Sequence, residues 1–231
     1  MIICSQVNDL KQKNLFICFT GMDGAGKTTL AKSLVEHLQS NGIKSRYVYN
    51  RYIPYLVRPV MKIGRIFFLR NKNFYNDYVN YSNTKRSISQ KHHFLAKGYQ
   101  SILLLDYFIQ ILIKIKLPLI LNRNVICDRY IYDTIVTDLS VDFNYSSEDV
   151  RRLLAKILFL FPTPDVTFLI DLPEEIAFQR KNDIPSIDYL RDRRKNYLNI
   201  GKEYEMTVLD GSESLDKLKS VINECIRRII L

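Results

Sequence analysis

Residues 21–28 read Gly-Met-Asp-Gly-Ala-Gly-Lys-Thr and fit the pattern G-x-x-x-x-G-K-[ST], a loop whose physics dictates what must stand on either side of it. Backbone amides converge on phosphate oxygens where a strand ends in a glycine turn and a helix begins. The helix N-terminus adds partial positive charge, and glycine permits positive φ and close approach. The flanks comply. Leu15 to Thr20 is an apolar, β-branched and aromatic run suited to a buried strand, and Thr28 to Gln39 carries helical spacing. Gly21, Gly24, Ala25 and Gly26 form the turn, Lys27 is placed to reach terminal phosphates, and Thr28 offers a hydroxyl to magnesium with Thr29 behind it.

The remaining chain alternates strand and helix. Lys44 to Asn50 alternates as a second strand, Asn124 to Asp128 reads as a short buried strand ending in an acid, and Asp165 to Asp171 contains another, VTFLID. Met206 to Leu209 is a last short strand. Helices are expected between Arg51 and Asn124, over Ser146 to Phe161 with Ser146 or Ser147 as N-cap, from Pro173, over Ser186 to Glu203, and over Ser214 to Ile230. Such alternation implies a parallel sheet covered on both faces, with ligands at the carboxyl ends of its strands. The expected fold is α/β: three layers, α/β/α, built on the P-loop, with a parallel five-stranded sheet. The 231 residues show no composition break, so one domain is expected.

Composition narrows the partners. Cys4, Cys18, Cys127 and Cys225 are dispersed, which suits free thiols in a reducing cytoplasm better than a disulfide framework or a zinc site. The first fourteen residues include Asp9, Lys11 and Lys13 and do not resemble a signal peptide. Ser101 to Leu121 is strongly apolar, but Asp106, Lys114, Lys116 and Pro118 interrupt it. A buried central helix is therefore expected, without membrane insertion. The net charge of +10 is spread along the chain without an aromatic–basic nucleic-acid motif. Small polyanionic nucleotides gain from a positive field, so no nucleic-acid partner is expected.

Phosphoryl transfer needs a metal anchor and positive charge on both donor and acceptor phosphates. Asp128 and Asp171 each end an apolar strand, and either could serve the metal. Asp128 is followed at once by Arg129, so one side chain can face magnesium while the other clamps an acceptor phosphate; a structural ion pair is the plain alternative. Arg191, Arg193, Arg194 and Lys195 form a basic helical stretch that could close over a nucleotide, unless they are spent on pairs such as Asp188 with Arg191. His92-His93 and the tyrosines 75, 78 and 81 read as helix surface and packing.

Together GMDGAGKTTL, Arg51 after the second strand, Asp128-Arg129-Tyr130, the run from Asp171 to Arg180 (D-x-P-x-E-x-A-x-x-R in outline), RDRRKNY and Leu209 to Ser212 resemble the thymidylate kinase family of nucleoside monophosphate kinases. The resemblance implies an ATP-dependent and magnesium-dependent enzyme acting on a nucleoside monophosphate, most simply dTMP, and a homodimer. It implies that Lys27, Thr28 and the loop bind ATP; Thr28 with Asp128 is the metal pair expected here, with Asp171 still the alternative to Asp128. It places Asp23 toward the acceptor sugar or the magnesium shell, Arg51 and Arg129 on the acceptor phosphate, and Arg180 with Arg191, Arg193 or Arg194 on the donor side. An acceptor-binding helical region over about residues 51–123 and a lid over about 181–203 follow from it.

Three departures fall where that family reads the base. Asp128-Arg129-Tyr130 continues as Ile-Tyr-Asp133-Thr-Ile-Val-Thr137-Asp138 in place of x-x-Ser-x-x-Ala-Tyr-Gln. The central helix reads Leu105-Asp106-Tyr107-Phe108 where an arginine often packs on thymine, which makes Tyr107 the candidate base contact. Arg51 is followed by Tyr52-Ile53-Pro54, one residue longer than usual. A kinase for a deoxynucleoside or another phosphorylated small acceptor therefore stands beside dTMP. A guanine-type switch lacks its N/T-K-x-D motif, since the nearest string is Asn71-Lys72-Asn73-Phe74; a non-catalytic nucleotide-dependent switch or interaction protein is the remaining alternative.

Overall fold

β1 (Phe16–Gly21) is buried along its whole length, as befits a parallel strand covered on both faces. It belongs to a computed structural model that describes residues 14–55, 58–59, 93–143, 145–180 and 186–230. β1 pairs in parallel with β3 (Asn124–Asp128) on one side and β4 (Val166–Asp171) on the other. β2 (Ser45–Tyr49) lies outside β3 and β5 (Thr207–Asp210) outside β4. The order is β2-β3-β1-β4-β5, all parallel, with helices packed on the sheet in a three-layer α/β/α arrangement.

β1 sits where the chain order reverses, and a ligand crevice opens at such a point beyond the carboxyl ends of the strands. The register brings Phe19 opposite Asp128 and Gly21 opposite Ile170. The glycine loop, Asp128 and Asp171 therefore end on one edge. α1 (Lys27–Ser40) starts directly from the loop, with Gly26 as N-cap at φ 92.

α2 (His93–Ile111) continues through a π-helical turn, Leu112–Lys116, into Leu117–Ile120. The expected all-round burial of this region does not hold. Leu103, Tyr107, Ile111 and Ile115 are buried, but Ile102, Leu105, Ile109, Ile113, Leu117 and Ile120 are exposed at three- and four-residue spacing, Leu105 by 55% and Ile120 by 65%. Apolar residues on every face of a helix say that both sides avoid water, not that one chain covers both. Among the described residues no helix is long and apolar enough to cross a membrane.

α3 begins at Ile131–Asp133, passes through a π-helical stretch, Thr134–Leu139, and ends at Ser140–Phe143. α4 (Ser147–Ile157) is capped by Ser146, whose Oγ accepts from the Asp149 amide while Asp149 accepts from the Ser146 amide; this reciprocal box satisfies two donors of the first turn. α5 (Glu174–Arg180), α6 (Ile187–Glu203) and α7 (Leu215–Ile230) complete the described helices. Tyr75, Tyr78, Tyr81 and His92, residues 56–57 and 60–92 of the region expected to bind the acceptor, and positions 181–185 of the expected lid lie outside the described residues.

Gly21 shows why the loop tolerates no side chain at its entrance. Its φ is 137, and a Cβ there would stand 2.5 Å from the Ile170 carbonyl oxygen of β4. Gly21→Ala is expected to lower the free energy of unfolding by about 3 kcal/mol, measured by urea titration followed by circular dichroism. A loss below about 1 kcal/mol would contradict this close packing of β1 against β4.

Candidate active site

The loop after β1 is closed by its own lysine. Lys27 is buried, and its Nζ donates to the carbonyl oxygens of Gly21 and Met22 at 2.8 and 2.7 Å. Burial, with Arg129 as the next cause, lowers its pKa to about 8, against the opposing pull of Asp133, Asp23 and Asp128. α5 lies against the same loop. A Cβ on Gly24 would stand 3.1 Å from the Ala177 carbonyl oxygen, and Arg180, at the end of that helix, donates to the Gly24 carbonyl at 3.4 Å.

Thr28, in the first turn of α1, donates from Oγ1 to Asp128 Oδ2 at 2.5 Å, and the Tyr47 hydroxyl of β2 donates to the same oxygen at 2.9 Å. Asp128 Oδ1 is buried and has no hydrogen-bond partner among the described residues. A buried carboxylate oxygen without a donor is costly unless a cation or a bound water completes it. Asp171, the other candidate for the metal, is engaged elsewhere. Arg194 binds its two oxygens at 2.7 and 2.9 Å and reaches Glu174 at 2.8 Å. Those bonds raise the Arg194 pKa, Asp171 contributing first, and the Arg194 bond holds Glu174 below the usual carboxylate range. A hydroxyl and one open carboxylate oxygen suit magnesium, a hard ion that takes one or two protein oxygens and completes its shell with water and substrate phosphates. Among the described residues no cluster of three or more His, Cys, Asp or Glu residues offers an all-protein cage.

Arg129 turns sharply out of β3, at φ 71, while its amide still bonds to the Phe19 carbonyl of β1. The guanidinium makes an ion pair with Asp23 in the glycine loop and lies 3.9 Å from Asp133. Burial opposes its charge, but Asp133 and Asp23 outweigh burial and lift its pKa above the ordinary value. Arg129 Nε is buried and has no hydrogen-bond partner among the described residues. An open carboxylate oxygen and an open guanidinium N–H thus leave adjacent residues at one strand end. Arg51 lies just past β2, the neighbour of β3, and is exposed. Its backbone neighbour Asn50 donates to the Asp128 carbonyl at 2.9 Å.

The other candidates stand further off. Arg191 is exposed and bonds to Asp188 and Glu174, so the intrahelical pair expected from spacing is present. Thr29 is exposed in the first turn of α1, and Ala25 is buried in the loop. Tyr107 does not present a face to a base. It is fully buried, its hydroxyl accepts from Asn50 Nδ2 at 2.8 Å and donates to the Asn50 carbonyl at 3.1 Å, and its ring packs against Tyr52 and Phe161. The helical phase at 107 points into the core, which a departure from a family pattern does not reveal.

Two buried side chains take parts that the sequence reading did not give them. Asp133 gathers donors from three elements, and Arg193 donates to the Thr137 carbonyl at 2.5 Å while stacking on Tyr189. The signal for Asp133 was its acid at the serine place of the resembled pattern.

The family model described as thymidylate kinase matches residues 82–222. The chain is 24% identical to the thymidylate kinase of Pediococcus pentosaceus over 93% of its own length and 98% of that protein. It is 28% identical to a probable thymidylate kinase of Saccharolobus solfataricus, covering 87% and 91% of the two chains. It is 27% identical to the thymidylate kinase of Buchnera aphidicola, covering 90% and 92%.

Lys27 supplies a test of the loop as a polyanion cradle. Its pKa of about 8 leaves it largely neutral above that pH, and a triphosphate placed beside it would restore the charge and draw in a proton. Calorimetry of Mg-ATP binding in buffers of different ionisation enthalpy is expected to show uptake of about 0.7 proton near pH 8.5, falling to about 0.1 near pH 7. Uptake independent of pH would contradict this role for Lys27.

Proposed function

The chain belongs to the thymidylate kinase family, and on that premise we propose that it transfers the γ-phosphoryl group of ATP to the phosphate of dTMP, giving ADP and dTDP. The observation that carries this reading is the strand end at Asp128 and Arg129, where one open oxygen and one open N–H leave adjacent residues beside the glycine loop. Donor and acceptor phosphates can meet there, held by groups of opposite function.

Lys27 and the amides of residues 21–29 bind the ATP phosphates. Thr28 Oγ1 and Asp128 would hold magnesium, which would supply positive charge against the transferring phosphates. Arg129 and Arg51 grip the dTMP phosphate, and Asp23, bonded to Arg129 from inside the loop, keeps that arginine against the donor site. Arg180 reaches the donor side from α5. Arg191 and Arg194 reach it by exchanging their present carboxylate partners for phosphate oxygens. Transfer is in line, and the protein contributes position and charge without a covalent intermediate. The acceptor region over about 51–123 and the lid over about 181–203 belong to the same domain, and the enzyme works in the cytoplasm.

A homodimer completes the proposal. The exposed stripe from Ile102 to Ile120 on α2 and its continuation is an apolar face of the kind that a second copy covers. Leu105→Glu with Ile109→Glu is expected to convert a dimer into a monomer in sedimentation velocity. A wild-type monomer at high micromolar concentration would contradict the assignment.

A coupled ADP-release assay over the nucleoside monophosphates tests the reaction. dTMP is expected to be the best acceptor. Lys27→Ala is expected to lower kcat at least about a hundredfold with the fold intact, and Arg129→Ala to lower kcat/KM for the acceptor by a similar factor. Absence of turnover with every monophosphate would end the proposal.

A further inference from the structure

Asp133 sits in the first turn of α3, 2% exposed, and gathers groups from four places. Its Oδ2 accepts from Thr20 Oγ1 of β1 at 2.8 Å and from the Tyr130 amide at 2.9 Å. Its Oδ1 accepts from the Tyr197 hydroxyl of α6 at 2.9 Å and lies 3.9 Å from Arg129 Nη1. The cap of α3 needs only one of these contacts. A serine hydroxyl, the group found at this place in the resembled pattern, could accept the Tyr130 amide alone. The second oxygen therefore has separate work, and a buried carboxylate is too costly to keep without partners that use its charge.

We infer that Asp133 is a positioning residue for the acceptor arginine: its Oδ1 and the Asp23 carboxylate hold the Arg129 guanidinium and leave its buried Nε–H, unpaired among the described residues, to be taken by a phosphate oxygen. With Asp23 alone, the guanidinium would be drawn to one carboxylate in the loop, and its open edge would no longer be fixed. Burial raises the Asp133 pKa, but Arg129, Lys27 and the hydrogen bonds from Tyr130 and Thr20 oppose it, as expected for a carboxylate set among cations. Tyr197 ties the same carboxylate to α6, the helix that carries Arg191 and Arg194. Arg193, one turn before Tyr197, fastens α6 to the Thr137 carbonyl on the far side of Asp133. The acceptor arginine and the basic helix are thus braced on one buried group.

This inference rests on the reading that Arg129 grips the acceptor phosphate. It is tested in the full-length protein with dTMP and ATP as substrates. Asp133→Ser keeps an acceptor for the cap and removes the charge. It is expected to lower kcat/KM for dTMP about tenfold while KM for ATP stays within about twofold. In an Arg129→Ala background the same substitution is expected to cost no more than about twofold, because a group acting through Arg129 has nothing left to position. Tyr197→Phe leaves the carboxylate in place, removes one donor and lets Oδ1 bind Arg129 more tightly. It is expected to raise KM for dTMP several-fold, again without moving KM for ATP, and it decides the matter if Asp133→Ser does not fold. Equal shifts in both KM values, no shift in either, or additive losses in the double variant would overturn the inference. An active wild type that loses acceptor use in Arg129→Ala but not in Asp133→Ser would sink this inference alone. A wild type inactive toward dTMP would instead sink the proposed reaction.

Discussion

Arg129 leaves β3 with φ 71, a left-handed backbone that costs a non-glycine residue about 1 kcal/mol or more. That turn lets two successive side chains of one strand serve a single site, because an extended continuation would send Arg129 to the face opposite Asp128. Asp128 remains with the helix that starts from the loop, through Thr28, while Arg129 folds toward Asp23 and Asp133. The strain is held by the sheet: the Arg129 amide bonds to Phe19 of β1, and the Asn50 amide bonds to the Asp128 carbonyl from β2. Three strands thus over-determine one residue, a common arrangement where backbone strain belongs to the chemistry.

Charge within this small volume is nearly balanced. Lys27 feels Arg129 together with Asp133, Asp23 and Asp128, and Arg129 feels Asp133 and Asp23. Lys27 is pushed down by burial and by Arg129, whereas Arg129 is held up by its two carboxylates. A site arranged in this way gains from incoming polyanions, which relieve repulsion between the cations, and from a divalent cation, which relieves the open oxygen of Asp128. The basic stretch on α6 is treated differently. Arg194 and Arg191 are paired with Asp171, Glu174 and Asp188, so their use on a phosphate is an exchange of partners and not a new contact.

The sheet was legible because its strands are short apolar runs bounded by turn residues; Asn124 to Asp128 was placed to the residue, and the glycine loop announced the strand and helix around it. Other features depend on contacts that no single segment reveals. Asp128 and Asp171 end similar strands, and only the tertiary arrangement sets Thr28 on one and Arg194 on the other. Tyr107 was expected at the base, and the phase of α2 buries it against Asn50 and Phe161. The same helix was expected to be buried all round, but periodicity cannot tell an inner face from one left for a second chain. Asp133 looked like a mere departure because its four contacts come from Thr20, Arg129, Tyr130 and Tyr197, spread over most of the chain.

The most direct measurement is a crystal structure with dTMP and a non-hydrolysable ATP analogue in the presence of magnesium. The arrangement of the strand end predicts the dTMP phosphate within about 3 Å of Arg129 Nε, and the metal or one of its waters on Asp128 Oδ1. A dTMP phosphate seated elsewhere, with Arg129 Nε still lacking a partner, would contradict it.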